Sequence, residues 1–358
     1  MKIQKKFKGI VGASALILSL SVALTACGTN PGTKTGGAAP SGAAATASGT
    51  SQYKYGKIDI PGKDGSLCAA PIYIAYEKGF FAEEGFDVNL ISADTETRKI
   101  GLNNGTIPVV NGDFQFFPSI EEGVKVKVVD GLHNGCIKII VPKGSPIKTA
   151  KDLKGKKIGV DEIGGTPFQV ASLWLENAGI VAKDNKDVTF VPYSDGNLEI
   201  AAAEKGEIDA AASWDPYGSL AVKNKGFTEI FDLSTDPLFK GKYCCFLYAS
   251  EKYLKEDPER AAALLTAYNK AQEWIHDNPA EAVDIISEKK YSDINDKELA
   301  TELLKNYEYP SKEEHASGKT HTKEDVLYFV KELKKVGYLK TNDPEKFANE
   351  IYYDVKQK

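Results

Sequence analysis

The sequence predicts an α/β protein of two lobes that follows an N-terminal leader and a tether. Three observations lead to this prediction. Apolar strands alternate with helices from residue 57 to 249, the chain beyond residue 52 has about 300 residues, and its last hundred residues show helical periodicity alone. Alternation implies crossover units and a mostly parallel sheet, and about 300 residues suffice for two hydrophobic cores.

The first residues have the pattern of an export signal. Residues 10–24 form an apolar run that is too short and too rich in small residues for a membrane span, and it follows four lysines: Lys2, Lys5, Lys6 and Lys8. The run ends in Leu24-Thr25-Ala26-Cys27, which resembles the lipobox of bacterial lipoproteins, whose cysteine is diacylated and becomes the new N-terminus. We therefore expect a signal peptide at 1–26, lipidation at Cys27 and a location on the extracytoplasmic face of the cell membrane.

The segment 27–52 is expected to be a flexible tether. It consists almost wholly of Gly, Ala, Ser, Thr and Pro, and Lys34 is its only charged residue. The whole chain has 45 basic and 50 acidic residues, a net charge of −5, and removal of the four leader lysines makes this −9. Such an acidic surface argues against nucleic acid as a partner. No second apolar run of spanning length follows, so the rest is expected to be soluble.

Each lobe is predicted from its own set of elements. The first lobe comprises 53–142 and 244–358, with strands at 57–60, 87–91, 109–110, 124–129, 137–141 and 243–249, and helices at 71–78, 118–122, 261–275, 279–286, 296–307, 322–336 and 344–353. The second lobe comprises 143–243, with strands at 158–160, 188–192 and 208–212, and helices at 149–153, 167–178, 198–204 and 217–223.

Four stretches carry a family resemblance. They are APIYIAYEKGFFAEEGFDV at 70–88, SPIKTAKDLKGKKIGV at 145–160, AAAEKGEIDAA at 201–211 and NPAEA at 278–282. Together, and in this order, they resemble the nitrate, sulfonate, taurine and thiamine-precursor binding-protein family. The resemblance implies a type II periplasmic-binding-protein fold, with two lobes, a hinge and an interlobe cleft that closes on a small ligand. It also implies a monomer that delivers this ligand to the permease and ATPase subunits of an ABC importer.

Candidate ligand-binding residues follow from the rule that open α/β lobes bind at strand carboxyl ends and helix N-termini. That rule selects Ser66, Cys68, Asp113, Phe114, His133, Cys136, Gly165 and Thr166. Exposed amides near Gly165, with the Thr166 hydroxyl, would suit a sulfonate, carboxylate or nitrate, although Thr166 could equally cap its helix. After the strand at 208–212, Trp214 offers an apolar wall and Asp215 an acceptor for an amine or hydroxyl. The alternative is that Trp214 is core and Asp215 an N-cap.

The cysteines beyond Cys27 fall on loops or strand ends that the fold brings toward the cleft or hinge. They are Cys68, Cys136, Cys244 and Cys245, with His133 close by, and Cys244 is included among the candidate ligand residues. Thiolates with an imidazole could bind a soft metal or a thiol-reactive ligand, whereas inert buried thiols or a disulfide are the alternative. The Cys-Cys-Phe at 244–246 resembles part of a motif in fungal thiamine-pyrimidine synthases, but their longer cysteine run is absent, so neither their activity nor their iron is transferred.

The favoured function is capture of a sulfonate, nitrate or taurine-like anion. One alternative is a pyrimidine or thiamine precursor stacked by Phe114 and Trp214, and another is a lipoprotein that binds soft metals or thiols through the cysteines. A synthase is disfavoured by the lipobox and by the lack of a Ser/His/Asp arrangement, a P-loop or an H-E-x-x-H motif. No enzymatic activity, cofactor or resident metal is expected.

Overall fold

The computed structural model describes residues 52–62, 65–318 and 320–355. The predicted signal peptide at 1–26, the lipidation at Cys27 and all of the tether except Gln52 lie outside the described residues. Within the described part, none of the helices combines the length and apolarity that a membrane crossing requires.

Three sheets contain the ten strands of the described chain. In order these strands are β1 (Gly56–Pro61), β2 (Phe86–Ile91), β3 (Val109–Asp113), β4 (Val126–His133), β5 (Ile137–Val141), β6 (Lys157–Val160), β7 (Thr189–Pro192), β8 (Ala210–Trp214), β9 (Thr228–Asp232) and β10 (Cys245–Ser250). β1 and β2 form a pair, β3, β10 and β4 form a three-stranded sheet, and the remaining strands form a five-stranded sheet in the order β7, β6, β8, β5, β9.

Fourteen α-helices of the described chain surround these sheets. They are α1 (Ala70–Glu77), α2 (Phe80–Glu83), α3 (Thr95–Asn104), α4 (Phe116–Glu121), α5 (Thr166–Asn177), α6 (Gly196–Glu204), α7 (Tyr217–Lys225), α8 (Glu251–Glu256), α9 (Pro258–Asp277), α10 (Pro279–Glu288), α11 (Lys297–Asn306), α12 (Lys312–Ser317), α13 (Thr322–Lys335) and α14 (Pro344–Ile351). Short 3-10 turns cover Leu67–Ala69, Ala150–Leu153 and Lys183–Asn185.

The first helix pair shows how the sequence fixes local structure. Pro71 stands in the first turn of α1, where its missing N–H is no loss, and Gly79 ends the helix with a left-handed φ of 80°. α2 then buries Phe81, whose ring meets Tyr268 of α9 edge-on at 5.4 Å. Gly85, at a φ of 91°, turns the chain into β2. α2 therefore packs between β2 and α9, and α1 packs on α9 and α10.

The five-stranded sheet is mixed and the three-stranded sheet is antiparallel, so the expectation of a mostly parallel sheet is wrong. β6 runs parallel to β7 and β8, but β5 is antiparallel to β8 and β9, and β10 is antiparallel to β3 and β4. The reason is topological. β5 and β10 are the strands that follow the two chain crossings between sheets, and each enters its new sheet against the direction of its neighbours.

The chain passes twice between the two larger sheets, at 134–136 and at 233–244. The lobe assignment from sequence places 137–141 in the first lobe, but β5 pairs only with strands of the five-stranded sheet. We therefore propose the lobe boundaries at these crossings, with β5 and β9 inside the second lobe. A periodicity argument assigns a strand but cannot tell which sheet it joins.

An aromatic stack runs from the second lobe to the C-terminal helices. Phe231 of β9 meets Phe239 at 5.6 Å, and Phe239 meets Phe329 of α13 at 6.1 Å. Phe329 also stacks on Phe114 at 4.5 Å between ring centres. Because Phe239 lies in the second crossing, this stack ties the crossing to the core beneath α13.

Candidate functional site

A cavity of about 360 Å³ lies where the two larger sheets face each other. Its walls come from the loops after β1, β2, β3, β6 and β7, the end of β8, the first crossing between the sheets and the start of β10. It is lined by Ser66, Cys68, Ala93, Asp94, Thr95, Arg98, Asn111, Gly112, Gln115, Cys136, Ile137, Asp161, Glu162, Thr166, Tyr193, Ser194, Trp214 and Cys245. Most of these positions are carboxyl ends of strands, where α/β folds place their ligands.

The structure brings five of the predicted ligand residues to this cavity: Ser66, Cys68, Cys136, Thr166 and Trp214. Thr166 is the first residue of α5, and the N-cap is Gly165, so the hydroxyl of Thr166 does not act as the helix cap. The Nε1 hydrogen of Trp214 is buried and has no acceptor among the described residues. Both side chains are therefore placed to meet a ligand.

The other predicted residues lie behind the wall or within the core. Asp113 is fully buried and its carboxylate accepts the backbone hydrogen of Gln115 at 2.8 Å. Phe114 is enclosed by the aromatic stack and cannot stack on a ligand ring. The residues absent from the cavity lining are Asp113, Phe114, His133, Gly165, Asp215 and Cys244.

Asp215 belongs to a buried network and caps no helix, since α7 begins after Pro216. Its carboxylate accepts hydrogen bonds from Ser219 at 2.7 Å and from the Tyr307 hydroxyl at 3.3 Å. Burial raises the pKa of Asp215 to about 7, against the opposing charge of Lys138. The structure thus places Asp215 neither in the cavity lining, as a ligand acceptor would be, nor at the N-cap of α7.

Several lining residues were not selected from sequence. Asp161 and Glu162 directly follow β6, and Asn111 is the third residue of β3. The strand-end rule applied to β6 identifies the two acids, whereas the prediction used the Gly-Gly-Thr sequence at 164–166, which begins three residues after Asp161. Arg98 lies on α3, a segment for which no helix was predicted.

A contact across the cavity joins the loops after β2 and β6. The Thr95 hydroxyl, on the first turn of α3, donates a hydrogen bond to the Glu162 carboxylate. These two loops belong to different sheets, so the contact holds the lobes together over the cavity. An interlobe contact beside the ligand space is the arrangement expected for a cleft in its closed state.

Carboxylates outnumber cations at this site. Asp94, Asp161 and Glu162 line the cavity, and Arg98 is the single cationic side chain among its described lining residues. Burial raises the pKa of Asp161 to about 7, although backbone hydrogen bonds and the charge of Arg98 oppose this. The cavity thus offers negative charge along one wall and one positive group.

The lining also presents acceptors without donors. Asn111 Oδ1, Gln115 Oε1 and Asp161 Oδ1 are each fully buried and have no hydrogen-bond partner in the part of the chain that the structure describes. An unpaired buried oxygen costs about 1–3 kcal/mol. Three such oxygens in one cavity are satisfied most simply by a ligand that brings N–H or O–H donors.

Four free cysteines, all buried, lie together at the cavity, and three of them, Cys68, Cys136 and Cys245, line it. Cys136 Sγ lies 3.8 Å from Cys245 Sγ and 4.0 Å from Cys244 Sγ, and Cys68 joins them on the cavity side. Hydrogen bonds from the Cys136 and Cys245 thiols hold the pKa of Cys68 well below its ordinary value. Burial alone would lower the pKa of the adjacent His133, but the negative charge of Cys68 and Cys244 outweighs it and raises that pKa to about 9.

Known proteins resemble this chain along most of its length. A putative aliphatic sulfonates-binding protein of Bacillus subtilis (strain 168) is 29% identical over 259 residues, which cover 67% of this chain and 71% of the relative. The nitrate/nitrite binding protein NrtA of Nostoc sp. is 26% identical over 340 residues, or 86% of this chain and 74% of the relative.

Solved structures show the same fold. The alkanesulfonate-binding protein SsuA of Xanthomonas axonopodis pv. citri, bound to MOPS, aligns with a TM-score of 0.63 at 17% identity and covers 82% of this chain and 97% of its own. This likeness confirms the periplasmic-binding-protein fold implied by the sequence resemblance. The family model described as NMT1/THI5 like matches residues 68–282, most of the chain, and the protein therefore belongs to the NMT1/THI5-like family.

Proposed function

We propose that this protein is the extracytoplasmic, lipid-anchored solute-binding component of an ABC importer, and that its ligand is a small zwitterion. The ligand would carry an amine and an anionic group such as a sulfonate, occupy the cavity between the lobes, and pass to the permease without chemical change. Its relatives support the importer role, because they are binding proteins for sulfonates and for nitrate or nitrite.

The observation that carries the choice of ligand is the set of unpaired acceptors. Asn111, Gln115 and Asp161 present buried oxygens that need donors, and nitrate or a simple alkanesulfonate has no hydrogen to donate. A protonated amine supplies up to three N–H donors and a charge that complements Asp161. An amine beside these oxygens therefore removes the cost of leaving them unpaired.

The anionic end of the ligand has its own partners. Arg98 and Thr166 line the same cavity, and Thr166 begins the twelve-residue helix α5. A guanidinium, a hydroxyl and the positive end of a helix dipole together suit a sulfonate or carboxylate. This fits the MOPS ligand of the Xanthomonas protein, since MOPS is a sulfonate that also contains an amine.

An aminopyrimidine is the second candidate, favoured by Trp214. Its indole lies half-buried in the wall and its N–H lacks an acceptor, so it could pack on a ring and donate to a ring nitrogen. Phe114, the other aromatic residue considered for stacking, is taken up by the core. One aromatic wall instead of two makes this candidate weaker than the zwitterion.

Isothermal titration of the full chain in detergent distinguishes these ligands. Taurine carries both groups, ethanesulfonate lacks the amine, ethylamine lacks the sulfonate, and nitrate and an aminopyrimidine complete the panel. We expect taurine or a larger aminosulfonate to bind and each half-ligand to bind at least about tenfold more weakly, which corresponds to about 1.4 kcal/mol. Nitrate or ethanesulfonate binding as tightly as taurine would overturn the zwitterion assignment.

The lipid anchor is tested separately. We expect Cys27→Ala to abolish incorporation of labelled palmitate and to release the protein from the membrane fraction, whereas Cys68→Ala leaves labelling intact. Palmitate incorporation that persists in Cys27→Ala would contradict the anchor and leave the ligand proposal untouched.

A further inference from the structure

Three cysteine sulfurs beneath the cavity form a nearly equilateral triangle. Cys136, Cys244 and Cys245 are separated by 4.0 Å, 3.8 Å and 3.7 Å between Sγ atoms. All three side chains are buried, with 6% exposure at most, and all are free thiols. Two of them, Cys136 and Cys245, also line the cavity.

The size of this triangle matches a metal site. An ion at its centre would lie about 2.2 Å from each sulfur, close to the Zn–S distance of about 2.3 Å, and a tetrahedral zinc site has sulfurs about 3.8 Å apart. Packed thiols in van der Waals contact have a similar spacing, so the metal assignment depends on the fourth residue of the group, His133. Thiolates are also the ligands that thiophilic ions prefer.

His133 supplies a fourth ligand in a prepared orientation. One of its ring nitrogens lies within 4.8 Å of all three sulfurs. Nδ1 is 3.0 Å from the carbonyl oxygen of Asn134, and since a carbonyl only accepts, Nδ1 carries the hydrogen. Nε2 is buried and has no hydrogen-bond partner among the described residues, and because the pKa of His133 is raised to about 9, Nε2 releases its proton when an ion binds. A histidine that donates one N–H to a backbone carbonyl and keeps the other nitrogen for the ion is the usual second shell of a zinc ligand.

Neighbouring rings fix the His133 imidazole in this position. Tyr307 stacks on it at 4.6 Å and 15°, and Tyr309 meets it edge-on at 5.7 Å. Both tyrosines are buried, so the ring cannot rotate without disturbing the core. The orientation of the imidazole is therefore set before any ion arrives.

The four residues lie in the two chain crossings between the lobes or directly beside them. His133 ends β4 and Cys136 lies in the first crossing, whereas Cys244 ends the second crossing and Cys245 begins β10. His133 and Cys245 are paired across the ladder, and a register shift follows Cys245, which lets the adjacent Cys244 and Cys245 face the same group. An ion bound here would tie the two hinge segments together directly below the ligand cavity.

We propose that His133, Cys136, Cys244 and Cys245 bind one zinc ion at the hinge, in tetrahedral coordination by three thiolates and one imidazole nitrogen. Cys68 is not a ligand in this assignment, although it lines the same cavity. The site does not depend on the identity of the solute, because it uses residues that the proposed ligand contacts do not require.

The test uses the full chain in detergent, purified anaerobically under reducing conditions and stripped with a chelator. We expect one equivalent of Zn²⁺ to bind, and X-ray absorption to show three sulfurs at about 2.3 Å and one nitrogen at about 2.0 Å. Co²⁺ in its place should give the intense visible bands of a tetrahedral thiolate site. Failure to retain Zn²⁺, a first shell dominated by oxygen, or a disulfide in the reduced protein would overturn the proposal.

Two variants and one control complete the design. Cys245→Ser and His133→Ala should weaken Zn²⁺ binding by more than the 10–100-fold typical of a second-shell change. Ser250→Ala alters a buried hydroxyl in the same strand and should leave the metal affinity unchanged. If Cu⁺ binds instead, with three sulfurs and no nitrogen, the zinc assignment and the role of His133 are both wrong. Solute titrations are scored separately, so a failed metal site leaves the importer proposal standing.

Discussion

Replacement of Asp161 by Asn tests how the cavity recognises its ligand. Asp161 lines the cavity, its pKa is raised to about 7 by burial, and its Oδ1 has no partner among the described residues. If an amine binds only the ionised carboxylate, protonation of Asp161 competes with the ligand. The affinity should then fall about tenfold for each pH unit below 7, while the ammonium of taurine stays charged.

The magnitude follows from the pKa. Between pH 8 and pH 5 the ionised fraction of a group with a pKa of about 7 falls roughly 90-fold, so the binding free energy should weaken by about 2.7 kcal/mol. At pH 6 binding should release about 0.9 proton, and at pH 8 about 0.1. The charged groups that act on Asp161 are Glu162, Arg98, Asp113 and Glu199, and Glu162 and Arg98 oppose each other.

Calorimetry in buffers of different ionisation enthalpy measures both affinity and proton release. Asp161→Asn should bind taurine more weakly at pH 8 and lose most of the pH dependence, since a neutral amide cannot titrate. Asp277→Asn alters an exposed carboxylate away from the cavity and serves as the matched control. A wild-type affinity that is equal at pH 5 and pH 8, or a full pH dependence retained in Asp161→Asn, would refute the reasoning.

Three further predictions concern the fold. Phe329→Ala removes the centre of the aromatic stack and should lower the free energy of unfolding by about 3–5 kcal/mol in urea, while the same change at the exposed Ile100 should alter it by less than about 0.5 kcal/mol. Burial raises the pKa of Asp130 to about 6, so the stability that the protonated residue contributes is lost as pH rises from about 4 to 6. Asp130→Asn should remove this dependence of the unfolding free energy on pH, which amounts to up to about 3 kcal/mol over that window. An unchanged pH dependence in the variant would contradict this. Gly131→Ala would place a Cβ 2.2 Å from the Tyr243 ring and should cost about 1–3 kcal/mol by thermal unfolding, and a variant as stable as wild type would show that the ring can move.

Local sequence signals predicted most elements of the described chain. The strand at 137–141 matches β5 residue for residue, and the helix predicted at 279–286 matches the start of α10 because Pro279 fixes its first turn. β9 and four helices, α2, α3, α8 and α12, were missed. β9 is half-buried and mixes Thr, Glu and Asp with two apolar residues. α2, α8 and α12 have only four to six residues, too short for periodicity to show, and α3 has only two large apolar residues in ten.

The candidate site was predicted only in part, and for a specific reason. Residues that follow an identifiable strand or begin a helix, such as Thr166 and Trp214, could be assigned to the cleft from their position in the chain. Asn111 follows the strand predicted at 109–110, but position alone does not distinguish it from its neighbours. The role of Asn111 and Gln115 depends on which buried oxygens lack a donor after the lobes have packed.

The sequence by itself determined the alternating elements, the family resemblance and the presence of four cysteines near strand ends, because these follow from periodicity, turn residues and spacing along one chain. Only the tertiary structure decided that β5 joins the five-stranded sheet and that Phe114 belongs to the core. It also decided that Cys136 meets Cys244 and Cys245, which are 108 and 109 residues away along the chain. Distances between segments far apart in sequence are fixed by the packing of whole lobes, and no local pattern of residues encodes them.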